Sequence, residues 1–221
     1  MEKGLDYNVI LFDFDGTVSD SAEGIMECYR RTFVQMGMPV PEDRVLRSFV
    51  GPPQTVTFGE VYGFKGAELE RIIELFRKEY KTYGVFHSTI YPGIRQMLEA
   101  LKAGGKTLAV ATSKPEVYAR RICDEYGITE LLDFVGGSIM DLARNKKAEV
   151  IEYVLESLSV TDRSRVLMVG DRLYDAEGAA QCGIDCLGVT WGYGDEAELT
   201  KAGVKYLAAT PEEVRKLLLG E

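Results

Sequence analysis

The sequence of 221 residues predicts an α/β fold, a doubly wound parallel sheet with a small α-helical domain inserted into it. Two observations lead to this prediction. Short apolar runs recur along the chain without polar alternation, which is typical of parallel strands covered on both faces. Amphipathic helical patterns separate most of these runs, as expected for strands joined by crossover helices. One long stretch near the N-terminus departs from the alternation because it contains helical patterns alone.

Six apolar runs predict the strands. They cover residues 7–12, 107–111, 134–135, 165–169, 186–190 and 205–208. Helical patterns with apolar residues three and four apart lie between them or after them, at 94–102, 115–127, 147–158 and 211–219. This order predicts one sheet of parallel strands with helices on both faces.

The segment between the first two runs predicts a separate helical domain. Residues 25–36 and 67–83 have amphipathic patterns, and no convincing buried strand lies between Gly16 and Pro92. About 75 residues are far too many for a loop in a compact domain. We therefore expect residues 17–90 to form a small helical cap domain, with 1–16 and 91–221 forming the α/β core.

Composition excludes several classes of partner. The net charge of −9 argues against nucleic acid, whose binding needs a basic surface. No apolar stretch reaches the length of a membrane span, so no membrane partner is expected. The four cysteines form no Cys-x-x-Cys pair, and free thiols fit a reducing compartment, so a cytoplasmic location is expected. The oligomeric state is left open.

Polar side chains follow the predicted strands, at the edge of the sheet where α/β proteins bind ligands. The carboxyl ends of parallel strands meet at one edge, so these side chains are expected to share one crevice. They are Asp13 and Asp15, Thr112, Ser113 and Lys114, Lys146 or Lys147 at the start of a helix, and Asp171 and Asp175.

Four converging carboxylates repel one another unless a cation lies between them. Oxygen donors without histidine or cysteine select a hard ion, and a site shared with phosphate favours magnesium. Asp13 then serves as a nucleophile, and Asp15 protonates the leaving oxygen before it deprotonates the attacking water. Thr112, Ser113 and Lys147 are expected to bind the phosphoryl group. This pattern predicts a magnesium-dependent phosphatase that acts on a small phosphorylated metabolite through an aspartyl-phosphate.

The same residues resemble the haloacid dehalogenase superfamily, in its phosphoglycolate phosphatase-like branch with a helical cap. The resemblance rests on four signatures in order, which are Asp13-Phe-Asp-Gly-Thr17, Thr112, Lys147, and Gly170-Asp171 with Asp175. It implies a Rossmann-like core with a mobile cap. It also implies a magnesium site made by Asp13, the backbone carbonyl of Asp15, and Asp171, with Asp175 in support. The loop at Gly51 and Pro52 is similar in position to the cap loop that contacts substrate.

Several alternatives remain open from the sequence. A sugar phosphomutase of the same superfamily would use the same two aspartates, and a non-catalytic sensor of phosphorylated ligands would need only the binding groups. The substrate is also open between phosphoglycolate, a nucleoside monophosphate, a sugar phosphate and pyrophosphate. Lys146 and Lys147 compete for the phosphate-binding role, and Lys147 is preferred because Lys-Ala-Glu-Val-Ile resembles the helix start of the family.

Overall fold

The structure, a computed structural model, describes residues 4–139, 144 and 146–221. The chain forms two compact units, one of residues up to Ser19 together with Ile90–Glu221, and one of Asp20–Thr89. Two short strands, Ser19–Asp20 (β2) and Thr89–Ile90 (β3), pair with each other in a two-stranded sheet. Within the described residues, none of the helices has the length and apolar character needed to cross a membrane.

A six-stranded parallel sheet forms the centre of the first unit, which confirms the predicted fold class. Its strands are β1 (Val9–Phe12), β4 (Thr107–Pro115), β5 (Phe134–Ser138), β6 (Val166–Gly170), β7 (Asp185–Val189) and β8 (Tyr206–Ala208). The order β5-β4-β1-β6-β7-β8 places β1 between β4 and β6. Phe12 is level with Val110 on one side and Val169 on the other. Residues directly after Phe12 therefore emerge between two neighbouring strand ends.

Helices cover both faces of this sheet. They are α4 (Ile94–Ala103), α5 (Glu116–Glu125), α6 (Lys147–Ser157), α7 (Leu173–Gln181), α8 (Glu196–Lys201) and α9 (Pro211–Leu219). Val154 of α6 and Ala179 of α7 pack in one cluster with Leu11 of β1. Ile10 and Leu108 point to the opposite face, because side chains alternate along a strand, and both are fully buried. The sheet is thus covered on both sides, as its continuous apolar runs indicate.

The second unit is helical around an aromatic core. It contains α1 (Ala22–Gln35), α2 (Asp43–Ser48), a π-helix (Thr55–Val61), α3 (Gly66–Thr82) and a 3₁₀ turn (Gly84–Phe86). The ring of Tyr29 is fully buried, with its centroid 4.5 Å from that of Phe76 and 5.4 Å from that of Phe58. Its hydroxyl donates to Thr57 Oγ1 at 3.3 Å. These contacts give the unit an apolar core of its own.

One expectation about this stretch of sequence is wrong. Between Gly16 and Pro92 the sequence shows helical patterns only, whereas the structure has β2 and β3 there. Each strand is two residues long and partly polar. A segment that short has no room for the alternation by which a strand is recognised.

Candidate active site

The central strand and its neighbours bring three carboxylates and one ammonium group together. Carboxylate oxygens of Asp13, Asp171 and Asp175 all lie within 4.8 Å of one another. Asp13 directly follows β1, and its backbone N–H donates to Val169 O at 2.9 Å, which anchors it to β6. Asp171 directly follows β6, and Asp175 lies in the first turn of α7. We call Asp13, Asp171 and Asp175 the acidic cluster.

The acidic cluster is buried, and this raises the pKa of two of its members. Burial, then the charges of Asp175 and Asp13, raise the pKa of Asp171 well above its ordinary value. Burial also raises the pKa of Asp175 to about 6, despite the opposing charge of Lys147. Buried carboxylates this close together favour either protons or a cation between them. The donor set contains oxygen alone, so the residues fit a hard divalent ion such as magnesium.

Lys147 provides the ammonium group. Its Nζ lies 2.6 Å from Asp13 Oδ1 and 2.8 Å from Asp175 Oδ1, and it donates to Ala111 O at 3.0 Å. Burial alone lowers the pKa of Lys147, but the attraction of Asp13 and Asp175 outweighs this effect and raises it. Lys146 is exposed, and its backbone N–H donates to Glu149 at the start of α6. The structure thus brings Lys147, and not Lys146, to the acids.

The side chain of Asp15 lies outside the acidic cluster and has a different partner. Lys114 Nζ is 2.8 Å from Asp15 Oδ1 and 3.1 Å from Oδ2, and the Lys114 side chain is only 2% exposed. The expectation that all four carboxylates crowd around one cation therefore fails for the Asp15 side chain, because a lysine on neighbouring β4 neutralises it. The sequence predicts Lys114 at this edge of the sheet, directly after an apolar run, but it does not predict the pairing with Asp15.

Thr112 and Ser113 lie at the irregular end of β4. The pairing of β4 with β5 shifts register between Thr112 and Pro115. Thr112 is 2% exposed, and its hydroxyl accepts a hydrogen bond from the backbone N–H of Lys114 at 3.2 Å. Ser113 is half-buried. Both residues therefore lie at the edge of the sheet where Asp13 and Asp171 follow their own strands.

A loop after β7, residues 191–194, contacts the acidic cluster, whereas the sequence favours core packing for this loop over a place at the entrance of the site. The backbone N–H of Tyr193 donates to Asp171 Oδ2 at 2.8 Å, and Thr17 Oγ1 donates to Asp171 Oδ1 at 3.1 Å. Trp191 Nε1 donates to the carbonyl oxygen of Thr17 at 3.0 Å. The contact to Tyr193 uses the backbone, so no side-chain type in the sequence signals it.

Gly51 and Pro52 lie in the second unit, in the turn between α2 and the π-helix. Gly51 has a φ of +105°, a conformation that favours glycine. Pro52 is buried. Their assignment to substrate binding stays a prediction.

Comparison with known proteins gives consistent matches over nearly the whole chain. The family model described as haloacid dehalogenase-like hydrolase matches residues 10–189. A 5'-nucleotidase of Pseudomonas aeruginosa is 35% identical over 217 residues, which cover 98% of each protein. The tyrosine-protein kinase PtkA of Mycobacterium tuberculosis is 38% identical over 212 residues, covering 95% of this chain and 72% of that protein. The crystal structure of a predicted phosphatase from Clostridium acetobutylicum superimposes with a TM-score of 0.93 at 36% identity, over 97% of this chain and 99% of that one.

Proposed function

We propose that this chain, which belongs to the haloacid dehalogenase-like hydrolase family, is a magnesium-dependent phosphatase that acts through an aspartyl-phosphate on Asp13. One observation carries the proposal. The Asp13 carboxylate, at the end of the central strand, lies 2.6 Å from the ammonium group of Lys147 and within the acidic cluster. A carboxylate nucleophile needs this neutralisation before it can approach an anionic phosphate ester.

Charge balance supports a divalent cation. When the carboxylates of Asp13, Asp171 and Asp175 are all ionised, they exceed the single positive charge of Lys147 by two, which a divalent cation would balance. We propose that Asp13, Asp171 and the backbone carbonyl of Asp15 would hold the ion, with Asp175 in support. When bound, magnesium would neutralise charge on the phosphoryl oxygens and make the phosphorus more open to attack.

The residues of the chain account for each step of the reaction. A carboxylate oxygen of Asp13 attacks phosphorus, and the bond from phosphorus to the ester oxygen breaks. Asp15, protonated from solvent before this step, gives its proton to that leaving oxygen. Asp15 then takes a proton from a water molecule, whose oxygen attacks phosphorus and displaces the Asp13 carboxylate, releasing inorganic phosphate.

Other groups bind and orient the phosphoryl group in this proposal. Lys147 is held between Asp13 and Asp175, so its charge is fixed beside the attacking oxygen. Thr112 and Ser113 would donate hydroxyl hydrogen bonds to phosphoryl oxygens. Lys114 holds the Asp15 carboxylate in place through two short contacts.

We propose that the helical unit Asp20–Thr89 is the cap domain and that Gly51 and Pro52 contact the leaving group. Its own aromatic core supports its treatment as a separate domain.

We further propose a small phosphorylated metabolite as substrate, chosen from nucleoside monophosphates, phosphoglycolate-like acids and sugar phosphates. The 5'-nucleotidase relative makes nucleoside monophosphates the first class to test. Four free, buried cysteines support a location in the reducing cytoplasm.

A different reaction, phosphoryl transfer to a tyrosine, is favoured by the similarity to PtkA. Both reactions would pass through the same phosphorylated Asp13, and they differ in whether water or a hydroxyl group accepts the phosphoryl group. Incubation with ATP and a tyrosine-containing peptide distinguishes them, because a kinase labels the peptide whereas a phosphatase releases inorganic phosphate.

Incubation with a hexose phosphate and a bisphosphate primer tests the phosphomutase alternative, because a mutase produces the isomerised sugar phosphate whereas a phosphatase releases inorganic phosphate.

The central experiment traps the intermediate. Wild type is mixed with p-nitrophenyl phosphate and magnesium, quenched in acid and weighed by intact mass spectrometry. We expect a fraction of the protein to gain one phosphoryl group and Asp13→Asn to gain none, with turnover lost and the far-UV circular dichroism unchanged. Asp195→Asn is the matched control, because asparagine caps α8 as well as aspartate does. Equal turnover in wild type and Asp13→Asn would rule out Asp13 as the nucleophile.

A further inference from the structure

Asp171 is held from two sides by hydrogen-bond donors. It is fully buried, Thr17 donates to its Oδ1 and the backbone N–H of Tyr193 donates to its Oδ2. Each carboxylate oxygen has two acceptor positions, so one position on each remains for a cation. The two hydrogen bonds fix the orientation of the Asp171 carboxylate, and therefore the direction in which its remaining acceptor positions point.

The two donor segments are tied to each other as well as to Asp171. Trp191 Nε1 donates to Thr17 O at 3.0 Å, which joins the loop after β7 to the turn after β1. The loop follows β7 directly, and β7 pairs with β6, the strand that Asp171 directly follows. The geometry of Asp171 is therefore set by segments that continue from both neighbouring strands.

Glycines allow these segments to approach Asp171 closely. A Cβ atom on Gly192 would lie 2.3 Å from Gly16 O and 2.4 Å from Asp171 Oδ2. A Cβ on Gly194 would lie 2.0 Å from Asp171 O. Gly16, with a φ of +90°, would place a Cβ 2.2 Å from Asp171 Oδ2. Real Cβ atoms do not approach so closely, so any side chain at these positions would displace Asp171 or its donors.

We propose that Thr17 and the loop Trp191–Gly194 are positioning elements that orient Asp171 and thereby set the affinity of the site for its divalent cation. The inference rests on the proposed magnesium site. Groups that orient a metal ligand through hydrogen bonds change metal affinity by about 10- to 100-fold when they are removed. The loop carries no metal ligand itself and acts through Asp171.

Trp191 is the single tryptophan of the chain and lies in the proposed positioning loop, so tryptophan fluorescence reports directly on that loop. Its fluorescence is recorded during titration of the whole chain with magnesium chloride, without substrate. For wild type we expect a saturable change that Asp171→Asn abolishes. Thr17→Val removes one donor to Asp171 and preserves the side-chain shape, so we expect about 10-fold weaker magnesium binding or more.

Two further variants complete the test, measured by isothermal titration calorimetry. Trp191→Phe removes the indole N–H and keeps an aromatic ring, and we expect about 10-fold weaker binding here too. Gly192→Ala is expected to weaken magnesium binding most. If this variant fails to fold, the magnesium affinities of Thr17→Val and Trp191→Phe decide whether the positioning role holds. Thr32→Val is the matched control, because Thr32 is a fully buried threonine of the other unit whose hydroxyl donates to Cys28 O.

The outcomes separate this inference from the proposed function. Wild type that binds no magnesium overturns the metal site itself. Wild type that binds magnesium, with Thr17→Val and Trp191→Phe folded and binding within 2-fold of it, overturns only the positioning role. The positioning role is supported if Thr17→Val and Trp191→Phe bind magnesium more weakly than wild type while Thr32→Val does not.

Discussion

Lys114 and Asp15 form an ion pair at 2.8 Å between adjacent strand ends, with the lysine side chain only 2% exposed. The pair separates Asp15 from the acidic cluster and gives it a partner of its own. In the proposed reaction Asp15 transfers protons, so the position of its carboxyl group matters for substrates whose leaving group needs a proton.

Replacement of Lys114 by methionine tests this relationship. We expect kcat/KM for an alkyl phosphate to fall about 10-fold more than for p-nitrophenyl phosphate, because p-nitrophenolate leaves without help from an acid. Exposed Lys146→Met is the control and should leave both rates near wild type. Equal losses on the two substrates would show that Lys114 does not act through Asp15.

Removal of Lys147 should affect both stability and turnover. Lys147→Met leaves Asp13 and Asp175 buried without their cation, and loss of one partner of a buried pair costs about 3–5 kcal/mol. We expect this loss in urea unfolding of the metal-free protein, together with a fall in kcat of about 100-fold or more. Lys146→Met should match wild type in both assays. The assignment of Lys147 fails if the two variants behave alike.

The acidic cluster predicts an unusual dependence of stability on pH. Burial raises the pKa of Asp175 to about 6 and that of Asp171 well above its usual range. Asp175 binds more protons in the folded than in the unfolded chain over this range, so its contribution to the free energy of unfolding decreases as the pH rises from about 4 through about 6, and the raised pKa of Asp171 acts in the same direction. We expect the metal-free protein to have a higher Tm at pH 5 than at pH 7, measured by differential scanning calorimetry.

Magnesium should reverse that trend. It competes with protons for the carboxylates, so we expect it to raise the Tm more at pH 7 than at pH 5. Asp171→Asn should lose the stabilisation by magnesium, because it removes one carboxylate of the acidic cluster. A metal-free wild type whose Tm rises from pH 5 to pH 7 would contradict this reading of the cluster.

Gly178 offers a test that changes no polar group. It lies on α7 where a Cβ would come within 2.5 Å of Lys147 Cγ. Gly178→Ala gains up to about 1 kcal/mol in helix propensity, but the overpacking costs about 1–3 kcal/mol and pushes Lys147 away from its partners. We expect lower kcat and lower stability. Gly59→Ala is the control, since its Cβ would meet its nearest neighbour, Leu69, at 3.5 Å. A Gly178→Ala variant with wild-type kcat would show that Lys147 tolerates displacement.

The six strands could be predicted because each contains a continuous apolar run, but their ends could not. β4 continues from Ala111 to Pro115, since the backbone of its polar end still pairs with β5. β5 continues through Gly136 and Gly137, beyond the predicted run of 134–135. Gly136 is required there because a Cβ would lie 2.4 Å from Val154 Cγ2 of α6. The ends of β4 and β5 are decided by strand pairing and close packing, which a local sequence pattern does not contain.

The sequence predicts which strand ends meet at the candidate site, but it does not predict several of the contacts made there. Parallel topology alone brings Asp13 and Asp171 to one edge. The pairing of Asp15 with Lys114 depends on the direction of one side chain from a neighbouring strand, which spacing along the chain does not encode. The hydrogen bond from Tyr193 depends on a backbone group, which every residue except proline carries.

The central place of β1 has a consequence for synthesis of the chain. Val9 pairs with Thr107 on one side and Val166 on the other, so β1 gains its second partner only after β6 has been synthesised. Until β6 has emerged, the apolar segment Ile10–Phe12 has an unpaired edge on the nascent chain, a situation that favours aggregation. Asp13, the proposed nucleophile, therefore meets Asp171 only after β4, β5 and β6 have been synthesised.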